Sequence, residues 1–210
     1  MALEKYGQSF KTMAITINGT TGVAGVDGSA STPAVQGSDT NTGVSFGTDI
    51  VNINTGGSTR VKVDSNGNLT KPTNLCFSYT ASSSQDYTGN YEVIKYATNI
   101  FYKGVSSTYD TSTGVFTAPV AGIYQIYWEF FSPHSNTAMT QLEVSTNGGS
   151  SFSAIKYSPR AVGGSSSGYQ GAAITAWVDA AANNQYRITR KEGTIHINSY
   201  YTFFNIHLVQ

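Results

Sequence analysis

Charge is what the chain has least of. Asp, Glu, Lys and Arg make up 11% of its 210 residues, against about a quarter in ordinary globular proteins. Its 12 basic residues balance its 12 acidic ones and nowhere run together. The clustered basic footprint of a nucleic-acid binder is therefore missing, and no nucleic-acid partner is expected. A single cysteine, Cys76, excludes an intrachain disulfide, and its neighbours Leu75 and Phe77 give it the setting of a small buried hydrophobe. Stability must then come from packing or oligomerisation rather than cross-links. No apolar run approaches the roughly 20 residues that span a bilayer, so membrane insertion is not expected. The opening residues MALEKYGQSFKTM lack the basic start and apolar core of a secretory leader, which implies synthesis in a cytoplasm.

Gly, Ser, Thr and Asn fill the space that charge leaves, and aromatics reach 12%, with 14 Tyr and 10 Phe. Tyr, Thr, Val and Phe suit pleated, half-buried strands, while Gly, Asn, Asp and Ser suit turns. No span keeps a helical period; Ala180-Ala181-Ala182 runs at once into Asn183-Asn184 and reads as a turn. Apolar alternation with regular turn punctuation predicts an all-β protein. Expected strands include Val44–Phe46, Ile50–Ile53, Arg60–Val63, Leu75–Tyr79, Val93–Tyr96, Gly122–Phe131, Ala172–Val178 and Tyr200–Val209.

Composition shifts near Lys71-Pro72. Between about Asn18 and Thr70 large side chains are sparse, whereas aromatics are dense afterwards. A segment so poor in bulk can hardly bury a core by itself. Its Val/Ile alternation (Ile50, Ile53, Val61, Val63) is nevertheless regular, which suggests a shallow β layer completed by neighbouring chains; a flexible linker is the alternative. The expected organisation is an anchor peptide over 1–13, a β shaft over 14–74 and a β-sandwich head over 75–210. In the anchor, Leu3, Tyr6 and Phe10 are the side chains expected to dock on a partner protein.

Two strands carry large groups on both faces. In Gly122–Phe131, Tyr124, Ile126, Trp128 and Phe130 form a core face, with Ile123, Gln125, Tyr127, Glu129 and Phe131 opposite. In Tyr200–Val209, Thr202, Phe204, Ile206 and Leu208 face the core, with Tyr201, Phe203, Asn205, His207 and Val209 opposite. A second face turned to water should be polar. Large aromatics mixed with single polar groups suit a protein–protein interface. Tyr127, Phe131, Tyr201, Phe203 and His207 are thus expected at an oligomer contact, the alternative being surface aromatics on a monomer.

From Phe101 onward the order of features resembles the globular head of complement component 1q, a tumour-necrosis-factor-like jelly roll. The stretch Tyr109-Asp110-Thr111-Ser112-Thr113-Gly114-Val115-Phe116-Thr117-Ala118-Pro119-Val120-Ala121-Gly122-Ile123-Tyr124 matches that family's fixed positions: Tyr-Asp, Thr-Gly, Phe-Thr, Pro, Gly and Tyr. Asn147-Gly148-Gly149 fits its hairpin turn, and Thr202–Leu208 resembles its closing aromatic strand without the usual Ser-Gly. The resemblance covers roughly Leu75–Gln210 and implies a homotrimer with the two long strands lining the threefold axis. Some members bind calcium, but no carboxylate cluster at ligand spacing is present in the sequence, and no metal or cofactor is expected. Earlier in the chain, Thr32–Phe46, with its Asp39-Thr40-Asn41-Thr42-Gly43-Val44-Ser45-Phe46, and Arg60–Gly67, ending in Asp64-Ser65-Asn66-Gly67, resemble a module of bacteriophage tail fibres and related virion proteins.

No nucleophile elbow, metal motif or phosphate loop occurs. His196 and His207 read as structural strand residues, and His134 sits in a loop. Glu129, Glu143, Asp110 and Asp179 are scattered singly, with nothing local to pair any two as a glycosidase would. The expectation is a non-enzymatic, structural and adhesive subunit of a virion, on the tail or the capsid. Its expected partners are itself, other virion proteins and a glycan or protein on the host surface. Host contact is assigned to the loops Ser82–Asn90, Ser132–Ala138 and Pro159–Tyr169, with Tyr87, His134 and Tyr169 as contact residues. A small glycan depolymerase and a secreted bacterial lectin are the alternatives.

Overall fold

The computed structural model describes residues 16–18, 22–24, 26–104, 108–133, 137–159, 161–162 and 168–209. The anchor residues Leu3, Tyr6 and Phe10 and the loop residue His134 lie outside them. The chain divides into two compact units, Met1–Pro72 and Thr73–Gln210. Every described element is a strand or a turn, as the alternation predicts.

In the first unit, β1 (Thr16–Asn18) and β2 (Gly22–Ala24) form a hairpin. A five-stranded antiparallel meander follows, made of β3 (Val35–Gln36), β4 (Gly43–Gly47), β5 (Ile50–Thr55), β6 (Ser58–Val63) and β7 (Leu69–Thr70). Its turns have local causes. Asp64 Oδ1 accepts the N–H groups of Asn66 and Asn68, each at 2.9 Å, which closes the Asp64–Gly67 turn. Register puts Val35 opposite Val44, Val44 opposite Ile53, Phe46 opposite Val51, Val51 opposite Val63, and Val63 opposite Leu69. Directly paired residues share a face, so one side of this sheet is largely aliphatic and aromatic, with Thr55 and Ser58 at its end. That side is uncovered within the unit: Val35, Phe46, Val51, Ile53, Val63 and Leu69 are all exposed. The buried side chains are polar instead, with Asn54 Nδ2 donating to Ser45 Oγ at 2.8 Å and Thr59 Oγ1 donating to Asn54 Oδ1 at 2.9 Å.

The second unit holds β8 (Cys76–Thr80), β9 (Gln85–Tyr87), β10 (Thr98–Lys103), β11 (Tyr109–Asp110), β12 (Val115–Thr117), β13 (Gly122–Pro133) and β14 (Thr137–Ser145). It continues with β15 (Ser153–Tyr157), β16 (Ala161–Val162), β17 (Tyr169–Ala180), β18 (Gln185–Glu192), β19 (Ile195–Ile197) and β20 (Phe203–Leu208). One sheet runs β10-β8-β20-β13, with β17 along one side of β13 and β19-β9 beside its far end. The other runs β11-β12-β18-β14-β15, with β16 on β14. Their inner faces close on Phe77, Phe116, Tyr124, Ile126, Trp128, Tyr186 and Phe204. Trp128 Nε1 reaches across to donate to Thr140 Oγ1 at 2.8 Å, satisfying a polar atom that burial would otherwise strand.

The Tyr109–Tyr124 stretch now has a mechanical reading. Tyr109, Phe116 and Tyr124 are core rings. Asp110 Oδ1 accepts from Ser112 N–H at 2.8 Å, and Gly114 N–H returns to Asp110 O at 2.7 Å with Gly114 at φ +72°. Tyr124 Oη donates to Val120 O at 2.9 Å, pinning the approach to the long strand.

Three expectations need correction. Val93–Tyr96 is not a strand beyond a bridge from Val93 to Thr189; Ile94 and Tyr96 plug the core from an irregular segment that follows Tyr91, at φ +53°. The last strand starts at Phe203, because Asn198–Tyr201 make a turn held by Thr202 Oγ1 donating to Asn198 O at 2.7 Å. Cys76 is half-buried rather than core, because Phe77 takes the inward position in β8; partial burial raises its thiol pKa.

Candidate functional site

The outward face of the sheet containing β13 brings together most of the expected contact residues. Register places Gln125 between His207 and Trp177, and Tyr127 between Asn205 and Thr175. Tyr127, Phe131 and Phe203 are half-buried there, and His207 and Tyr201 are exposed. Trp177, 60% exposed on the same face, escaped the sequence reading because its own strand alternates with small residues rather than aromatics. Glu129 is fixed in the middle: it accepts from the Tyr127 hydroxyl and, through Oε2, from Phe203 N–H at 3.1 Å. Burial first, then this carboxylate, hold the Tyr127 phenol well above its usual pKa, so it stays protonated as the donor.

At one end of this face a row crosses four strands. Gly171 of β17 lies opposite Phe131 of β13, Phe131 opposite His196 of β19, and His196 opposite Asp86 of β9. A Cβ on Gly171 would stand 3.0 Å from Phe131 Cε1, so the missing side chain is what lets the ring lie across that strand. His196 Nδ1 and Asp86 Oδ1 are 2.6 Å apart. Two residues before Gly171, on the same face, the Tyr169 ring lies 4.7 Å from the His196 ring and 6.2 Å from that of Phe131. Tyr201, from the turn before β20, adds a ring at 6.5 Å and 90° to Phe131. With Ser84 and Asn198 these four rings line a recess of about 490 Å³. Asn198 is set by Oδ1 accepting from Tyr200 N–H at 2.8 Å and Nδ2 donating to Ser84 Oγ at 2.7 Å. The recess lies at the opposite end of the sheet from Cys76 and His207, which pair beside the first residues of this unit.

Of the three predicted contact residues, Tyr169 reaches this recess. Tyr87 does not: it is 1% exposed, and its hydroxyl accepts Lys95 N–H at 3.0 Å. The Ser82–Asn90 loop is polar, which hid the fact that Tyr87 is its inward anchor. His196 does more than hold its strand, since its ring walls the recess. Glu129 and Glu143 stand on opposite outer faces of the sandwich, one beside inward Trp128 and the other beside inward Leu142. Glu143 Oε2 is paired with Arg187 Nε at 2.7 Å. The two carboxylates therefore do not converge on a substrate.

The fold is a two-sheet antiparallel jelly roll with an aromatic recess at one end. No protein-family model and no curated protein matches the chain. Among solved structures, the globular domain of zebrafish complement 1qA protein is similar with a TM-score of 0.50 at 13% identity, over 65% of this chain and 98% of that one. Murine APRIL is similar with a TM-score of 0.50 at 8% identity, over 65% and 99%. At such identities the likeness is one of fold, and it is the jelly roll that the Tyr109–Tyr124 motif led us to expect.

Proposed function

We propose that the chain is a structural and adhesive subunit of a phage particle, a homotrimer whose jelly-roll head contacts the host surface. The observation that carries this reading is a pair of uncovered sheet faces. One is the aliphatic side of the β3–β7 meander; the other is the outer face of the β13 sheet, where Trp177 and Tyr201 are exposed beside half-buried Tyr127 and Phe203. Large side chains left in water on two separate sheets are supported best by packing against copies of the same chain, where each returns on the order of 1 kcal/mol or more on burial. The phage setting is supported by the resemblance of the Asp39–Phe46 and Asp64–Gly67 turns to virion fibre modules. A binding rather than catalytic role is supported by the separation of Glu129 from Glu143.

Light scattering on the purified full chain tests the assembly. A trimer is expected, and Tyr127→Asp or Phe203→Asp should dissociate it by burying an unpaired charge next to Glu129. A stable monomer near 22.4 kDa would overturn the reading. Imaging of particles labelled through this protein tests the setting: label on tail or capsid is expected, and unlabelled particles would overturn it.

A further inference from the structure

We infer that the recess formed by Phe131, Tyr169, His196 and Tyr201 is a binding site for an uncharged pyranose ring of a surface glycan. This rests on the adhesive reading of the head and names the site and the ligand class. The recess is of the size that small-ligand sites occupy, with apolar walls and a few polar groups at its margin. Its walls are ring faces and edges from three segments distant in sequence, and Tyr201 is 68% exposed. A pyranose presents one face of C–H groups, which suits such rings, and an edge of hydroxyls that both donate and accept. The margin answers that edge. The Ser84 hydroxyl, which both donates and accepts, and the Asn198 amide stand on the lining.

Aromatic walls also suit an onium group, but the lining decides against it. The residues that line the recess include no carboxylate to balance a cation, and Asp86, outside that lining, is bonded through Oδ1 to His196 Nδ1. A neutral ligand needs no such partner. Two of the walls are set by the sheet itself: Phe131 and His196 are directly opposed strand residues, and Gly171 leaves room for the Phe131 ring.

The test uses the full-length protein and NMR titration with methyl β-glucopyranoside, methyl β-galactopyranoside and methyl N-acetyl-β-glucosaminide, with choline chloride as the charged counterpart. At least one pyranoside should bind saturably, perturbing Phe131, Tyr169 and His196, and choline should not. Tyr169→Ala and Tyr201→Ala should each weaken binding roughly tenfold through the lost ring contact while the assembly stays intact. Failure of all three pyranosides at tens of millimolar, saturation by choline instead, or dissociation of the assembly by Tyr201→Ala would overturn the site. The last result would make the recess a contact between copies. Incorporation into particles and binding of the purified protein to host cells are measured separately and decide the virion and adhesive readings, so the site and those readings can fail independently.

Discussion

The two units obey the same alternation rule and use it to opposite ends. In the second, the inward residues of one sheet meet those of another, and Phe116, Trp128 and Phe204 disappear from solvent. In the first, the aliphatic side of the meander meets no second layer among the described residues, and what the sheet buries are the amide of Asn54 and the hydroxyl of Ser45. No member of the buried hydrophobic core comes from the described part of the first unit, where Pro33 is the one buried apolar residue. Alternation thus specifies a sheet face, but only a second layer turns that face into a core. The described part of the first unit has the pattern without the layer, and its exposed apolar face is what a neighbouring surface would stabilise.

Separating the units should expose this contrast at its largest. Residues 73–210 expressed alone should fold, with dispersed amide resonances and a cooperative melt. Residues 1–72 alone should give the spectrum of an unfolded chain, because ordering its backbone costs roughly 1–2 kcal/mol per residue with almost no apolar burial to offset it. A cooperatively melting 1–72 fragment that is monomeric would break the comparison.

Single substitutions sharpen the same point. Phe116→Ala removes a fully buried ring between the two sheets and should destabilise the second unit by about 3–5 kcal/mol in urea unfolding. Phe46→Ala removes a ring that is 40% exposed on the meander and should leave the unfolding of the second unit unchanged. Equal effects of the two would mean that the units are energetically one body.

How much of this was legible beforehand depended on how local the signal was. The core faces of β13 and β20 followed from period-two alternation alone, because both strands are long and their inward residues large. The turn at Asp110–Gly114 is local in the same sense, since the bonds that close it lie within five residues. Tyr87 was misread because exposure is a tertiary property: the polar Ser82–Asn90 sequence around it says nothing of the Lys95 backbone that captures its hydroxyl. The recess was legible only in pieces. Phe131 and Tyr201 were assigned to a subunit contact, Tyr169 to a ligand and His196 to its strand, and only the pairing of β13 with both β17 and β19 brings them to one place. Asp86 had no sequence signal at all, since its partner is 110 residues away.

The smallest expected effect concerns the turn that leads into the core of the second unit. Asp110 is exposed, yet its carboxylate accepts the Ser112 hydroxyl at 2.6 Å and the Ser112 and Thr113 N–H groups at 2.8 and 3.4 Å. These bonds, the one from the Ser112 side chain foremost, lower its pKa from 3.8 to about 2. Because the folded value is the lower one, the contribution is fully present above the unfolded pKa and fades as pH falls from near 4 through about 2. Solvent screens an exposed carboxylate, so the contribution should stay below about 1 kcal/mol. Asp110→Asn keeps an acceptor oxygen for the turn and removes the titrating charge. Its urea midpoint at neutral pH should fall only slightly, and its loss of stability between pH 4 and pH 2 should be shallower than that of the natural chain. Parallel pH profiles for the two proteins would show that the turn is held by Gly114 and the backbone bond to Asp110 O, with the carboxylate contributing nothing measurable.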